Sequence, residues 1–218
     1  LTEYASNGAN CIGCVRKNSE EFLLYCKKLE KENNVNINIV EMDLKDNKTI
    51  SEAVKKVFNI TKKIDILVNN AGILFNSLFQ MTSESKLKEM FQINFFSHVH
   101  LTQLISREMV KNKKGNIIFI SSTSADGRDY GRFAYSSSKA AISSTARVLA
   151  SELGGRGVRV NSINPGLTNT DMMRKNTKEE NIKKELEKTS LNRVAEPIEI
   201  ANLAVFLGSD LSTYINGQ

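Results

Sequence analysis

The run Asn116-Ile-Ile-Phe-Ile-Ser-Ser122 decides how this chain folds. Its large apolar residues follow one another without polar alternation, so both faces of the segment must be covered. That is the pattern of a central strand in a parallel sheet, which carries helices on both sides. Ser122 then stands at the carboxyl end of the strand, where open parallel sheets place their ligands.

Outward from this run, strand-like and amphipathic helical segments alternate. Strands are expected at Cys11–Val15, Ile37–Glu41, Ile64–Asn69, Asn116–Ser121 and Val158–Ile163, with helices near Ser19–Asn33, Lys48–Asn59, Ser83–Lys111 and Ala134–Leu153. Such alternation implies an α/β protein with a doubly wound, Rossmann-type parallel sheet. Helical patterns recur near Lys178–Lys188 and Pro197–Leu207. Pro197 suits a first helical position and Gly208 a stop just beyond the last. No repeat or flexible linker interrupts the chain, and 218 residues suit one domain, 1–218. Leu1–Asn7 reads as the last turns of a helix. A doubly wound nucleotide-binding unit normally opens with a strand and a glycine-rich turn, about 20–25 residues in all. Those are expected to be missing, as is a closing strand beyond Gln218.

Composition excludes several classes of function. Hydrophobic residues make up 40% and charged residues 25%, ordinary for a globular protein in water. No apolar run approaches the roughly 20 residues of a membrane span. The first residues show no basic region followed by an apolar one, so a cytoplasmic protein is expected. The net charge of +6 comes from lysines scattered over helical segments, such as Lys27-Lys28 and Lys183-Lys184. Without aromatics interleaved among them, they read as solvated faces rather than a nucleic-acid surface. Cys11 and Cys14 share a C-x-x-C spacing, but on a strand residues three apart face opposite ways. With no second pair or nearby histidine, no metal site is expected, and these two and Cys26 read as buried structural thiols.

The chemistry concentrates at Tyr135-Ser-Ser-Ser-Lys139, with Ser122 thirteen residues upstream. Positions four apart share a helix face, so Lys139 can hold its ammonium near the Tyr135 phenol. A nearby cation favours the phenolate and brings a tyrosine, of ordinary pKa about 10, toward the working range. A strand-end hydroxyl meeting that pair makes a proton-transfer site for a carbonyl or an alcohol.

Three further segments point into the same crevice. Asp65-Ile-Leu-Val-Asn-Asn-Ala-Gly72 is a strand ending in two asparagines. Asn69 and Asn70 can satisfy backbone there, while Ala71 and Gly72 let a ligand approach the main chain; alone, it would be a polar turn. Asn94 sits inside a helix, where its side chain can bind backbone at a kink or anchor a water. His98 and His100, on the same helix, read as surface or interface residues. Val160-Asn-Ser-Ile-Asn-Pro-Gly166 runs into a rigid turn, and Thr168 and Thr170 beyond it offer hydroxyls to a ligand.

Taken together in this order, Asn69–Gly72, Asn94, Ser122, Tyr135, Lys139 and Pro165–Gly166 resemble the short-chain dehydrogenase/reductase family. The resemblance covers essentially every residue present. It implies that Tyr135 is the general acid or base, that Ser122 polarises the substrate oxygen, and that Lys139 lowers the tyrosine pKa and binds the nicotinamide ribose. Asn94 would hold a water in a proton relay. Asn70, Ala71, Gly72, Pro165, Gly166, Thr168 and Thr170 would line the cofactor, and Asp43 would contact its adenine. Where NAD-preferring members carry an acid, this chain has Val15-Arg-Lys-Asn18, which suits a 2′-phosphate through charge-assisted hydrogen bonds. NADP is therefore expected, with Arg16 as its main contact. Within the family the chain is most similar to 3-oxoacyl-acyl-carrier-protein reductases, which implies an acyl carrier protein docked on Lys113 and Arg156, and a homotetramer built on the helices Ser83–Lys111 and Ala134–Leu153. The loop Asp126-Gly-Arg-Asp-Tyr-Gly-Arg-Phe133 departs from that likeness, with charges and aromatics where small residues are usual.

Overall fold

The structure, a computed structural model, describes residues 1–177, 179–187 and 189–218. The strands are β1 (Cys11–Val15), β2 (Ile37–Glu41), β3 (Ile66–Asn69), β4 (Gly115–Ile120) and β5 (Val158–Ile163). Helix α1 (Thr2–Ser6) precedes them, α2 (Glu20–Asn33) and α3 (Asn47–Ile60) flank β2, and α4 (Glu84–Phe91) and α5 (Ser97–Lys111) join β3 to β4. Helix α6 (Phe133–Gly154) joins β4 to β5, after which come α7 (Asp171–Asn176), α8 (Glu179–Glu187) and α9 (Pro197–Gly208).

Every strand pair is parallel, as the apolar runs require. The strands form two sheets, β1–β2 and β3–β4–β5, with Cys11 opposite Ile37, Ile66 opposite Asn116 and Gly115 opposite Val158. Beyond β5 the chain end runs alongside it: Gly217 donates to the Val160 carbonyl at 2.8 Å and Ser162 to that of Gln218 at 2.6 Å.

The alternation of side chains along β4 builds the layers. Ile117 and Phe119 point into a core shared with Ile50 and Val57 of α3, Ile105 and Met109 of α5, and Ile142 and Ala146 of α6. Ile118 points the other way, against Ala204 and Leu207 of α9. Both faces of the strand are dry, and burial of apolar surface there stabilises the fold by about 25 cal/mol per Å². A third cluster, Ala5, Cys26, Leu29 and Ile37, packs α1 and α2 onto β2. Side-chain caps begin the helices: Ser19 accepts from Phe22 N and Asp46 from Lys48 N.

Several expectations are corrected. The helix over Ser83–Lys111 is two helices separated by a π-helical turn at Gln92–Phe96. Gly208 is the last residue of α9 and not its stop, because Ser209 in an extended conformation ends the helix. Residues 171–176, for which the sequence pattern suggested no element, form α7, and the Thr170 hydroxyl accepts from Met173 N and caps it. Of the helix expected at Lys178–Lys188, residues 179–187 are helical, and its two end residues lie outside those described. Cys14 is exposed rather than buried, whereas Cys26 is in the core. No group of residues able to hold a metal ion occurs among the described residues, and no helix is long and apolar enough to cross a membrane.

Candidate active site

Serines lock the start of α6 against the end of β4. Ser121 Oγ donates to the Lys139 carbonyl at 2.9 Å, and Ser143 Oγ donates to Ser121 Oγ at 2.8 Å. One residue on, Ser122 is at the edge of burial and its Oγ accepts from Ser124 N at 3.1 Å. Lys139 is 4% exposed, and its ammonium donates to the Ile120 carbonyl at 2.7 Å and lies 5.8 Å from the centre of the Tyr135 ring. Ser122, Tyr135 and Lys139 thus meet at the carboxyl end of β4.

The electrostatics differ from the expectation in one respect. Burial pushes the Tyr135 phenol above its ordinary pKa, and the hydrogen bond with Ser122 and the charge of Arg132 only partly oppose this. The lysine therefore does not bring the phenol down in this arrangement, because its ammonium is turned to the Ile120 carbonyl. Burial also lowers Lys139 itself to about 8. Burial thus favours the neutral form of each group, although Lys139, at about 8, still carries its charge at neutral pH.

Asn94, fully buried, sits in the π-helical turn. Its Oδ1 accepts from Ile73 N at 2.8 Å, and its Nδ2 reaches the Ile73 carbonyl at 3.0 Å and Ser138 Oγ at 3.1 Å. Ser138 in turn donates to the Tyr135 carbonyl at 2.7 Å. The side chain binds backbone at a kink, one of the two readings the sequence allowed, and so ties the 70–73 segment to α6. A Cβ on Gly72 would meet the Lys139 ammonium at 3.6 Å, an ordinary contact, and Asn94 Oδ1 at 3.3 Å, close enough that the amide would have to give by a few tenths of an ångström.

His98 was read as a surface or interface residue, and this is wrong. It is 3% exposed, with Nε2 2.7 Å from the Ala71 carbonyl and Nδ1 3.2 Å from Asn69 Oδ1. The signal was its place one helical turn after Asn94, on the same face. His100 lies on another face, against Ser51 Oγ at 3.0 Å.

Asn70 and Ala71 are exposed beyond β3, beside this cluster. Pro165 and Gly166 follow β5, with Thr123 N donating to the Pro165 carbonyl at 3.0 Å. Thr168 donates to the Gly166 carbonyl, and Thr170 is committed to capping α7. Arg16 and Lys17 are exposed just past β1, and neither has an acidic partner among the described residues. Asn18 Oδ1 beside them is buried without a partner. Asp43 follows β2 and turns a carboxylate oxygen to Lys45 N at 2.9 Å. Lys113 and Arg156 are not near the site. They precede β4 and β5, whereas Ser122 follows β4, so the length of the strand, roughly 20 Å, separates them from Tyr135. They do lie together, because a Cβ on Gly157 (φ +82°) would come within 2.2 Å of the Lys113 carbonyl oxygen.

The loop ahead of α6 forms the outer wall. Ser124 Oγ donates to Asp129 Oδ2, which lies 3.7 Å from the Arg132 guanidinium, and that guanidinium also reaches Thr177 Oγ1 at 3.5 Å. Phe133 packs edge-on against Phe79 with ring centres 5.0 Å apart.

Comparison with known proteins agrees with this geometry. A family model described as short chain dehydrogenase matches residues 1–181. A 3-oxoacyl-acyl-carrier-protein reductase of Aquifex aeolicus is 37% identical over 179 residues, which cover 82% of this chain and 72% of that protein. A 7alpha-hydroxysteroid dehydrogenase of Escherichia coli is 39% identical over 163 residues, covering 74% of this chain and 64% of the relative, less than two thirds of its length. Among solved structures, one described as an NAD(P)-dependent gluconate 5-dehydrogenase from Beutenbergia cavernae, with NADP bound at low occupancy, superimposes with a TM-score of 0.92 at 27% identity, over 100% of this chain and 86% of that one.

Proposed function

Because the chain belongs to the short-chain dehydrogenase family, we propose that this NAD(P)-dependent oxidoreductase uses NADP to interconvert a carbonyl and a secondary alcohol, with 3-oxoacyl thioesters on an acyl carrier protein as substrate. The observation that carries the proposal is the meeting of Ser122, Tyr135 and Lys139 at one strand end.

The residues fit a dinucleotide phosphate. The Gly72 backbone lies close to Asn94 and Lys139, Asn18 has an unmatched buried acceptor, and Arg16 and Lys17 stand in water without an acidic partner among the described residues. Arg16 would bind the 2′-phosphate, Asp43 would face the adenine, and Asn70, Ala71, Gly72, Pro165, Gly166, Thr168 and Thr170 would line the rest. When bound, the nicotinamide supplies or accepts the hydride. The chain's own part is the proton. Ser122 donates a hydrogen bond to the substrate oxygen, and Tyr135, raised by burial and so protonated at neutral pH, gives its proton to that oxygen during reduction. Lys139, poised near 8, returns a proton to the phenol. Asn94 holds the 70–73 segment so that these groups keep their places.

Lys113 and Arg156 would receive the acidic carrier. At the far edge of the sheet they serve a Tyr135 in the same protomer only through a long flexible arm. We take residues 1–218 as one domain of a cytoplasmic homotetramer. Apolar side chains left half-exposed on the long helices, Phe96 at 51% and Val148 at 53%, suit such an interface. A second reading, a small polar ketone or sugar-derived alcohol, is favoured by the Asp129–Arg132 pair in the outer wall.

The test is NADPH oxidation by the full-length protein with an acetoacetyl thioester, free and carrier-linked, against a panel of small hydroxy-ketones. Carrier-linked turnover that fails in Lys113→Glu supports the first reading. Turnover of the hydroxy-ketones alone selects the second, and normal turnover by Tyr135→Phe overturns the mechanism. Light scattering that finds a monomer at micromolar concentration refutes the tetramer.

A further inference from the structure

His98 has no part in the proton transfer just described, yet it is among the most deeply placed polar residues of the site. Its contacts impose a condition. The Ala71 carbonyl only accepts, so Nε2, 2.7 Å away, must carry a hydrogen. If the ring is neutral, Nδ1 is bare and needs a donor, but it faces Asn69 Oδ1 at 3.2 Å. The Asn69 amide nitrogen is meanwhile given to Thr102 Oγ1 at 3.0 Å. Two arrangements satisfy every atom. With the ring charged, both ring nitrogens donate and the amide stands as described. With the ring neutral, the amide turns over, its nitrogen donates to Nδ1, and its oxygen accepts the Thr102 hydroxyl hydrogen. The two amide orientations occupy the same space, so nothing else need move.

We propose that His98 is a positioning residue that pins the Asn69–Gly72 turn to α5, with the amide of Asn69 as a two-position lock set by the protonation of the ring. The part concerning the cofactor rests on the reading above, in which this turn faces the dinucleotide. Ala71 is the pinned residue, and Gly72 next to it lies beside Asn94 and Lys139. Burial strongly favours the neutral ring, and the charge that faces it is Lys139 of α6, which acts in the same sense. From β3 and the turn it meets only Asn69 and the Ala71 backbone among the described residues.

The experiment compares His98→Leu, which cannot donate, with His98→Gln, whose amide nitrogen reaches where Nε2 does. In the full-length protein NADPH affinity, followed by nucleotide fluorescence, is expected to weaken about tenfold in His98→Leu with kcat little changed, the effect of one lost buried hydrogen bond. His98→Gln should restore most of it. Because both arrangements keep the Nε2–Ala71 bond, the pH dependence of affinity between 6 and 4 should be the same in the wild type and His98→Gln. The NMR signals of the Asn69 side-chain amide should change over that range in the wild type alone. A direct reading needs no cofactor: amide hydrogen exchange at residues 70–73 should quicken in His98→Leu and return to the wild-type rate in His98→Gln. Unchanged exchange at 70–73 in His98→Leu overturns the proposal, and so does an Asn69 amide signal that ignores pH in the wild type or follows it equally in His98→Gln. Failure of the wild-type protein to bind NADPH overturns the cofactor reading instead, and the exchange data still decide the role of His98. Should His98→Leu fail to fold, the pH response of the Asn69 amide in the wild type against His98→Gln decides.

Discussion

The two sheets are built from the same kind of strand and serve opposite needs. In β3–β4–β5 the central strand is buried from Gly115 to Phe119, and the polar groups at its end are mostly tied down: Lys139 to Ile120, Ser121 to Lys139, Asn94 to Ile73. In β1–β2 no residue of β1 is fully buried, and the cations beyond it, Arg16 and Lys17, point into water. Proton transfer fails if a group shifts by an ångström, so its residues are over-determined by packing. Binding a flexible phosphate needs reach and charge, and long solvated side chains supply both.

The sharpest test of this contrast is Tyr135→Phe. The sheet should keep its stability while turnover falls by about 10²- to 10⁴-fold, measured as NADPH oxidation at saturating substrate. Next, Phe119→Ala should cost about 3–5 kcal/mol in urea unfolding, because the strand is dry on both faces and the hole cannot collapse. A loss below 1 kcal/mol would erase the distinction between the sheets.

Stability against pH separates the regions further. His98 titrates near 4 in the folded protein, below its ordinary 6.5. The unfolded chain takes up that proton first, so stability is full above about 6.5 and declines by up to about 3 kcal/mol as pH falls to 4. Lys139, lowered to about 8, acts at the other end: its desolvation penalty is present below 8 and lifts as pH rises toward 10.5. Urea midpoints across pH, with His98→Gln flattening the acid limb, check both. The smallest effect belongs to the open sheet. Arg16→Ala should raise the NADPH KM about tenfold, leave NADH use unaltered and shift the melting temperature by less than a degree or two.

Parallel strands and most helix boundaries were legible in the sequence, because runs such as Ile117–Ile120 allow only one environment. Ser122, Tyr135 and Lys139 were legible as well, since strand-end and helical spacings fix who can meet whom. What stayed hidden depends on contacts distant in sequence. His98 looked like a surface residue because its partners, Asn69 and Ala71, lie on another element. The raised phenol of Tyr135 was missed because charge spacing along a helix is visible in sequence and burial is not. The separation of Lys113 and Arg156 from the site followed from strand direction, which the sequence did contain and which reading them by likeness overlooked.

The wide turn at Gln92–Phe96 shifts the phase of everything after it. In a regular helix residues five apart face different ways, yet here the rings of Phe91 and Phe96 stand 6.4 Å apart. The apolar stripe of α4 and that of α5 are therefore out of step by one residue, and each is coherent only within its own half. The helix behaves as two gears meshed through one extra tooth. Winding 92–96 as regular α-helix with every residue kept would leave an unbroken helix whose far half, carrying His98 and Thr102, is turned about 100° away from β3. Deleting one residue there would instead absorb the wide turn and preserve the phase.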